Sequence, residues 1–178
     1  VRNELVTERL RLRPLSTDDL EDLAVIYGDP EVMRYRLHTQ PASREQTRTM
    51  LEQYLHHWKQ YDFGRWAILE QTQHQVIGHA GLEFLDGTPE VELNYLIARS
   101  YWGVGLATEA ARVILQYGFE TLHLPQTIAI SKPENLASRR VLEKLGMCYE
   151  AEVQYYGVTW LRYTLSRDRW RTSTYPWR

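Results

Sequence analysis

Apolar and charged residues alternate with a period of two where Leu10 and Leu12 are interleaved with Arg9, Arg11 and Arg13, with Leu15 just beyond, the pattern of a half-buried strand. The period then changes. Leu20, Leu23, Ala24 and Tyr27 recur at helical spacing behind Thr17, a candidate cap, with Asp18 and Asp19 at the positive end of the helix. Gly28-Asp29-Pro30 ends that run. Ser43 and Gln46 have the spacing of a capping box, and Leu51, Tyr54, Leu55 and Trp58 follow as a second apolar stripe. Residues 64–71 and 75–85 predict two strands, and Asp86-Gly87 predicts a hairpin turn into a third over 91–98. In that third strand Val91, Leu93, Tyr95 and Ile97 share one side. Leu106, Ala110, Val113, Ile114 and Tyr117 mark another helix, followed by a short strand over 126–130. Residues 135–145 predict a helix closed by Gly146, which suits the left-handed turn after a helix end. Residues 147–155 and 160–165 predict two closing strands. The order β-α-α-β-β-β-α-β-α-β-β predicts an α/β (α+β) fold, a mixed sheet with helices on both faces. Without repeats, low-complexity blocks or linkers, residues 1–178 read as a single domain.

Composition narrows the function classes. A net charge of −2 supplies no field for nucleic acid or an anionic membrane, and no apolar run approaches a membrane span. The single cysteine, Cys148, cannot form an internal disulfide, and it lies in a strand-like apolar run that predicts a buried packing thiol. With no signal-peptide core at Val1-Arg2-Asn3-Glu4, the expectation is a cytoplasmic protein.

The chemistry concentrates between the third strand and the helix after it. Tyr101-Trp102-Gly103-Val104-Gly105-Leu106-Ala107-Thr108-Glu109-Ala110 places two glycines at a helix start. Glycines allow a tight turn, and a helix start offers unpaired N–H donors and the positive end of its dipole to an anion. A Rossmann dinucleotide site is the rival reading. It needs the loop in the first βαβ unit and an acid about 20 residues on, and neither is evident. About thirty residues downstream stands Pro133-Glu134-Asn135-Leu136-Ala137-Ser138-Arg139-Arg140-Val141-Leu142-Glu143-Lys144-Leu145-Gly146. The two motifs together resemble the GNAT superfamily of N-acetyltransferases, and within it the RimJ/RimL-like branch of ribosomal-protein N-acetyltransferases.

The resemblance implies the GNAT sheet, mostly antiparallel, and acetyl-CoA as co-substrate. It maps the pyrophosphate loop onto Trp102, Gly103, Val104, Gly105, Leu106 and Ala107, with Thr108 adding a hydroxyl. Trp102 departs from the arginine or glutamine of the family pattern. It assigns Leu96, Ile97 and Ala98 to the pantetheine arm, with a strand bulge expected at Asn94. It also implies that Asn135 both caps its helix and binds pantetheine, and that Ser138 acts as general acid.

Acetyl transfer to an amine needs a group to take the ammonium proton, a donor for the developing oxyanion and a proton for the thiolate. Glu92 is the candidate base, with Glu83 on the preceding strand as rival. The backbone N–H of Leu96 or Ile97 is the candidate oxyanion donor. Tyr149 is an alternative acid, though strand alternation could equally bury it. Lys132, Arg139, Arg140 and Lys144 surround the second motif and are available to nucleotide phosphates. His56 and His57 are adjacent on a helix and so diverge, and no metal is expected. Acceptor specificity should come from Tyr35, Arg36, Trp58, Tyr61, Tyr155, Tyr156, Gly157 and Trp160, with packing roles for Trp58 and Trp160. The expected reaction is direct transfer from acetyl-CoA to a primary amine, on a protein N-terminus or a small molecule, by a monomer or homodimer. A catalytically silent acyl-CoA-binding module is the alternative.

Overall fold

The computed structural model describes residues 4–172. Their eight-stranded sheet runs in the order β1-β2-β3-β4-β5-β6-β8-β7. The strands are β1 Leu5–Val6, β2 Leu10–Pro14, β3 Arg65–Glu70, β4 Val76–Phe84, β5 Val91–Ile97, β6 Gln126–Ser131, β7 Cys148–Tyr155 and β8 Val158–Ser166. The helices are α1 Leu20–Tyr27, α2 Pro30–Met33, α3 Arg44–Tyr61, α4 Leu106–Gln116, α5 Leu136–Lys144 and α6 Arg167–Thr172. Neighbouring strands pair antiparallel except β5 and β6, which are parallel. The predicted order is present throughout. The additions are a two-residue edge strand, a single turn of helix after Pro30 and a closing helix at Arg167, all too short to show a period.

Side-chain alternation divides the core between the two sheet faces. Trp66 and Ile68 pack with Leu82, Leu93, Ile97, Leu106, Ala110 and Ile114, beneath α4. Ala67, Leu69 and Leu96 pack with Leu23, Tyr27, Leu51 and Tyr54, beneath α1 and α3. Trp58 and Trp160 are buried, as their packing roles require. The predicted capping box forms: the Ser43 N–H donates to Gln46 at 2.8 Å and the Gln46 N–H to the Ser43 hydroxyl at 3.2 Å. Ahead of α1, Thr17 lies inside a 3₁₀ turn over Thr17–Asp19 whose N-cap is Ser16, and Asp19 is the N-cap of α1, so Thr17 caps neither. The Asp19 carboxylate accepts the Ser16 N–H at 2.8 Å and is held by Arg13 at 2.7 Å. His57 serves as a packing pin, its Nδ1 at 2.8 Å from the Phe63 carbonyl and its Nε2 accepting the Phe84 N–H at 3.2 Å.

Two burial expectations need correcting. Cys148 is half-buried rather than enclosed, because β7 is an edge strand whose residues alternate in exposure. Tyr149, on the same strand, is 55% exposed and meets only the edge of the Tyr163 ring, so alternation does not bury it. No helix among the described residues is long and apolar enough to cross a membrane.

Candidate active site

The site is organised by one irregularity, the edge between β5 and β6. On its other side β5 pairs with β4 in continuous register from Phe84↔Val91 to Gly78↔Ile97. Asn94 pairs with Gly81 inside that ladder, so the bulge expected there does not form. Toward β6, the pairing of β5 is confined to Glu92↔Ile128. The Ala98 N–H donates to the Ile77 carbonyl and the Leu85 N–H to the Glu90 carbonyl, both at 2.8 Å. Antiparallel hydrogen bonding alternates residue by residue, so the even-numbered residues of β5 face β4. The N–H and C=O groups of Tyr95 and Ile97 therefore turn toward β6, where the ladder has stopped.

This geometry sorts the residues expected to hold the pantetheine arm. Ile97 presents its backbone groups to the open edge, and its carbonyl accepts the Trp102 indole N–H at 2.7 Å. Leu96 faces the β4 ladder, and the Ala98 N–H is spent on Ile77. The Leu96 backbone and the Ala98 N–H therefore point away from the gap, and Tyr95 stands beside Ile97 at the open edge. Between the two candidate oxyanion donors, the same alternation favours Ile97.

Beyond β5 the chain makes a short 3₁₀ turn and enters the glycine loop. Gly103 and Gly105 have φ of 79° and 86°, left-handed values that side chains resist, and Gly105 is the N-cap of α4. The first bond into the helix is from the Glu109 N–H to the Gly105 carbonyl at 3.1 Å. The N–H groups of Gly103, Val104, Gly105, Leu106, Ala107 and Thr108 donate to no acceptor among the described residues. Successive free donors at a helix start fit a pyrophosphate. Trp102 and Val104 flank the loop with exposed side chains. In place of the arginine or glutamine of the family pattern, Trp102 fastens the loop to Ile97 through its indole.

Arg9 is a loop-positioning residue that the sequence pattern did not single out. Its guanidinium donates to the Val104 carbonyl at 2.8 Å and to the Glu109 carboxylate at 2.7 Å. The Thr7 hydroxyl donates to the other Glu109 oxygen at 2.6 Å. The start of β2 thus pins the outside of the loop. Strand alternation cannot show this, because it depends on two charges 100 residues apart.

The second motif meets β5 directly. Asn135 is the N-cap of α5, its side-chain oxygen accepting the Ser138 N–H at 3.1 Å. The Ser138 hydroxyl lies 2.8 Å from the Tyr95 hydroxyl, and Tyr95 also donates to the Ser138 carbonyl at 3.1 Å. Burial holds the Tyr95 proton well above its ordinary range, against a smaller opposing effect of the Ser138 contact. Read from the sequence, Tyr95 is a core residue. Its ring does pack there, but its hydroxyl joins α5 to the open edge. Arg139 spends its side chain on the Tyr163 hydroxyl and the Pro133 carbonyl.

Glu92 leaves β5 at the point where the ladder ends, on the face shared with its cross-strand neighbour Glu83. It is half-buried. Desolvation pushes its carboxyl up to about 7, helped by the Glu83 charge and opposed by Arg65, Asn94 and Arg36. Glu83 is held at 2.7 Å by Arg65, whose guanidinium stacks 4.0 Å from the centroid of the Tyr54 ring. The rival base is therefore locked in an ion pair. Deeper on the same face the Tyr27 hydroxyl bonds His79 Nε2 at 2.7 Å and the Tyr54 hydroxyl at 3.0 Å. Burial, with the Arg65 and Arg36 charges, keeps His79 neutral. Two hollows of about 400 and 310 Å³, around Trp170 and around Leu124, include none of these residues.

Comparison with known proteins gives this geometry its family. Residues 9–148 match the model of the acetyltransferase (GNAT) domain. The chain belongs to the GNAT acetyltransferases. It is 32% identical to the uncharacterized protein YkkB of Bacillus subtilis, over 86% of this chain and 90% of that one. It is 31% identical to the uncharacterized N-acetyltransferase p20 of Bacillus licheniformis, over 85% of this chain and 86% of that one. With the spermidine N(1)-acetyltransferase of Escherichia coli it shares 27% identity over 82% and 76%. An acetyltransferase structure from Agrobacterium tumefaciens superposes with a TM-score of 0.81 at 28% identity, covering 92% of this chain and 94% of that one. The GNAT fold and the acyltransferase class follow, and GNAT enzymes draw their acyl group from acetyl-CoA.

Proposed function

We propose that this GNAT acetyltransferase moves the acetyl group of acetyl-CoA directly onto a primary amine at the open edge of β5. The observation that carries the reading is the placement of Glu92. A carboxyl poised near neutrality sits where the sheet parts, beside backbone donors left without strand partners. Acetyl-CoA supplies the activated thioester. The N–H groups of residues 103–108 hold its pyrophosphate, and the backbone of Tyr95 and Ile97 holds its arm, with Asn135 beside it at the start of α5.

Glu92 takes the proton of the incoming ammonium, directly or through water, and frees the nitrogen lone pair. As the C–N bond forms, the Ile97 N–H donates to the carbonyl oxygen gaining charge. As the C–S bond breaks, the Ser138 hydroxyl donates a hydrogen bond to the departing thiolate, and the remaining extra proton on the acylated nitrogen passes to that thiolate or to solvent. When the single Tyr95 proton turns from the Ser138 carbonyl to the Ser138 hydroxyl oxygen, the serine hydrogen is free to point at sulfur. The RimJ/RimL-like resemblance makes a protein N-terminus one candidate acceptor, and the relative named for spermidine makes a polyamine another.

Release of free thiol from acetyl-CoA in the presence of N-terminal peptides, polyamines and small amines tests the proposal. Amine-dependent release is expected. Acetyl-CoA binding with no release for any amine would leave a cofactor-sensing module and sink the catalytic reading.

A further inference from the structure

Arg65 opens β3 and is only 6% exposed. It shares a row with Gly81 of β4 and Asn94 of β5, and so stands on the Glu92 face. α3 fixes it at both ends. The Trp58 indole N–H donates to the Arg65 carbonyl at 2.6 Å, and one helical turn earlier the Tyr54 ring centroid lies 4.0 Å from the guanidinium. The Tyr54 hydroxyl is held in turn by Tyr27, which bonds His79. A Cβ at Gly81 would stand 2.4 Å from the Arg65 Cα and 2.3 Å from the Gly64 carbonyl oxygen, so glycine is what lets β3 approach β4 this closely. Two residues further along β4, one oxygen of Glu83 accepts from Arg65 Nε at 2.8 Å and Nη2 at 2.7 Å.

Glu83 and Glu92 face each other across the β4–β5 ladder. Two carboxylates so placed repel when both are ionised. The arginine breaks the symmetry of the pair, because it engages Glu83 and leaves Glu92 without an arginine of its own. Arg65 Nη1 is buried and donates to no acceptor among the described residues, so Glu83 does not spend the whole guanidinium. The other charged or titratable groups around Glu92 are Arg36, between α2 and α3, the Tyr156 hydroxyl at the β7–β8 turn, and Tyr54 against Arg65.

We propose that Arg65 is a positioning residue for acetyl transfer: its guanidinium commits Glu83 to an ion pair, leaves Glu92 as the one base of the carboxylate pair, and by its charge sets how firmly that base holds a proton. This rests on the reading of Glu92 as the base and deepens it. The electrostatics agree, since the Arg65 charge acts to lower the Glu92 pKa and the Glu83 charge to raise it.

Removing Arg65 alone would strand Glu83 without its counter-ion, so the test keeps Glu83→Gln throughout and varies residue 65. Glu83→Gln and Arg65→Lys/Glu83→Gln retain a cation beside Glu92, and Arg65→Met/Glu83→Gln does not. Carbon NMR of labelled glutamate carboxyls follows the titration, with the Glu92 signal assigned by its loss in Glu92→Gln. In the two cation-bearing variants the Glu92 midpoint should lie about 1–3 pH units below that of Arg65→Met/Glu83→Gln, the range for an adjacent opposite charge. The acidic limb of kcat/KM should move with it, at unchanged acetyl-CoA affinity. Thermal melts report folding, and either cation-bearing variant suffices for the comparison. Coincident midpoints would overturn the inference and leave Arg65 in a packing role. Separate midpoints with an unmoved limb would overturn it by another route, by taking Glu92 out of the reaction. Retention of the limb in Glu92→Gln identifies that second case as a failure of the base assignment itself.

Discussion

At the scale of single residues, the contrast between Glu92 and Glu83 decides the chemistry. The two carboxylates pair across β4 and β5, and an arginine holds Glu83 in an ion pair but not Glu92. Glu92→Gln should lower kcat/KM by about 10²–10⁴-fold, the usual contribution of a general base, with acetyl-CoA affinity retained. The pH profile supplies an independent readout. With its carboxyl at about 7, Glu92 is protonated below neutrality and cannot accept a proton. The wild-type kcat/KM should therefore fall about tenfold per pH unit below that point, and this limb should vanish in Glu92→Gln. Folding stability carries the same signature. The folded protein holds the Glu92 proton more tightly than the unfolded chain, whose ordinary value is 4.5. Its stabilising contribution is complete below the unfolded value and is lost as pH rises through about 7, so Glu92→Gln should melt higher than wild type at pH 8. Near-normal turnover with an unchanged profile would remove Glu92 from the mechanism.

At the scale of elements, hydrophobic periodicity located β5, α4 and α5 to within a residue or two, because each buries one face and advertises it. It also placed Glu92 on the correct side of β5. Periodicity cannot say which strand lies at each edge, and the edge decides where backbone N–H groups point. The family resemblance places Leu96, Ile97 and Ala98 together at the gap, whereas the Leu96 backbone and the Ala98 N–H belong to the β4 ladder. The Tyr95 hydroxyl was hidden by the same pattern, since an aromatic in phase with Val91 and Leu93 reads as core. Local signals fared better where the chemistry is local. The Asn135 cap rests on a contact three residues away and forms as its spacing predicts. Asn135→Ala should cost about 0.5–2 kcal/mol of stability through the lost cap. If the residue also touches pantetheine, acetyl-CoA affinity measured by calorimetry should fall as well. Lost stability with unchanged affinity would leave Asn135 as a cap alone.

At the scale of the whole molecule, the sheet joins two cores at an edge that neither completes. The core beneath α4 fixes the glycine loop, the core beneath α1 and α3 fixes the Glu92 face, and the unpaired stretch of β5 lies between them. A ligand bound along that edge bridges β5 and β6, whose strand pairing is confined to Glu92↔Ile128, and it binds the folded state alone. At a concentration of 100 times Kd, acetyl-CoA should add about 2.7 kcal/mol of stability by mass action. For a domain of this size, about 2–4 °C per kcal/mol places the melting shift at about 5–11 °C. CoA without the acetyl group should produce most of that shift, because the loop and the arm site lie outside the reacting carbonyl. Gly105→Asp is the discriminating variant. A Cβ at Gly105 meets nothing closer than Arg9 Nη2 at 3.5 Å, so the side chain has room, at the cost of a left-handed φ of 86°. Its carboxylate, however, sits among the donors offered to the pyrophosphate and repels it. The variant should fold, melt somewhat lower than wild type, and lose the acetyl-CoA shift. A wild-type shift in folded Gly105→Asp would mean that the phosphates bind elsewhere and that the loop is a connector between β5 and α4.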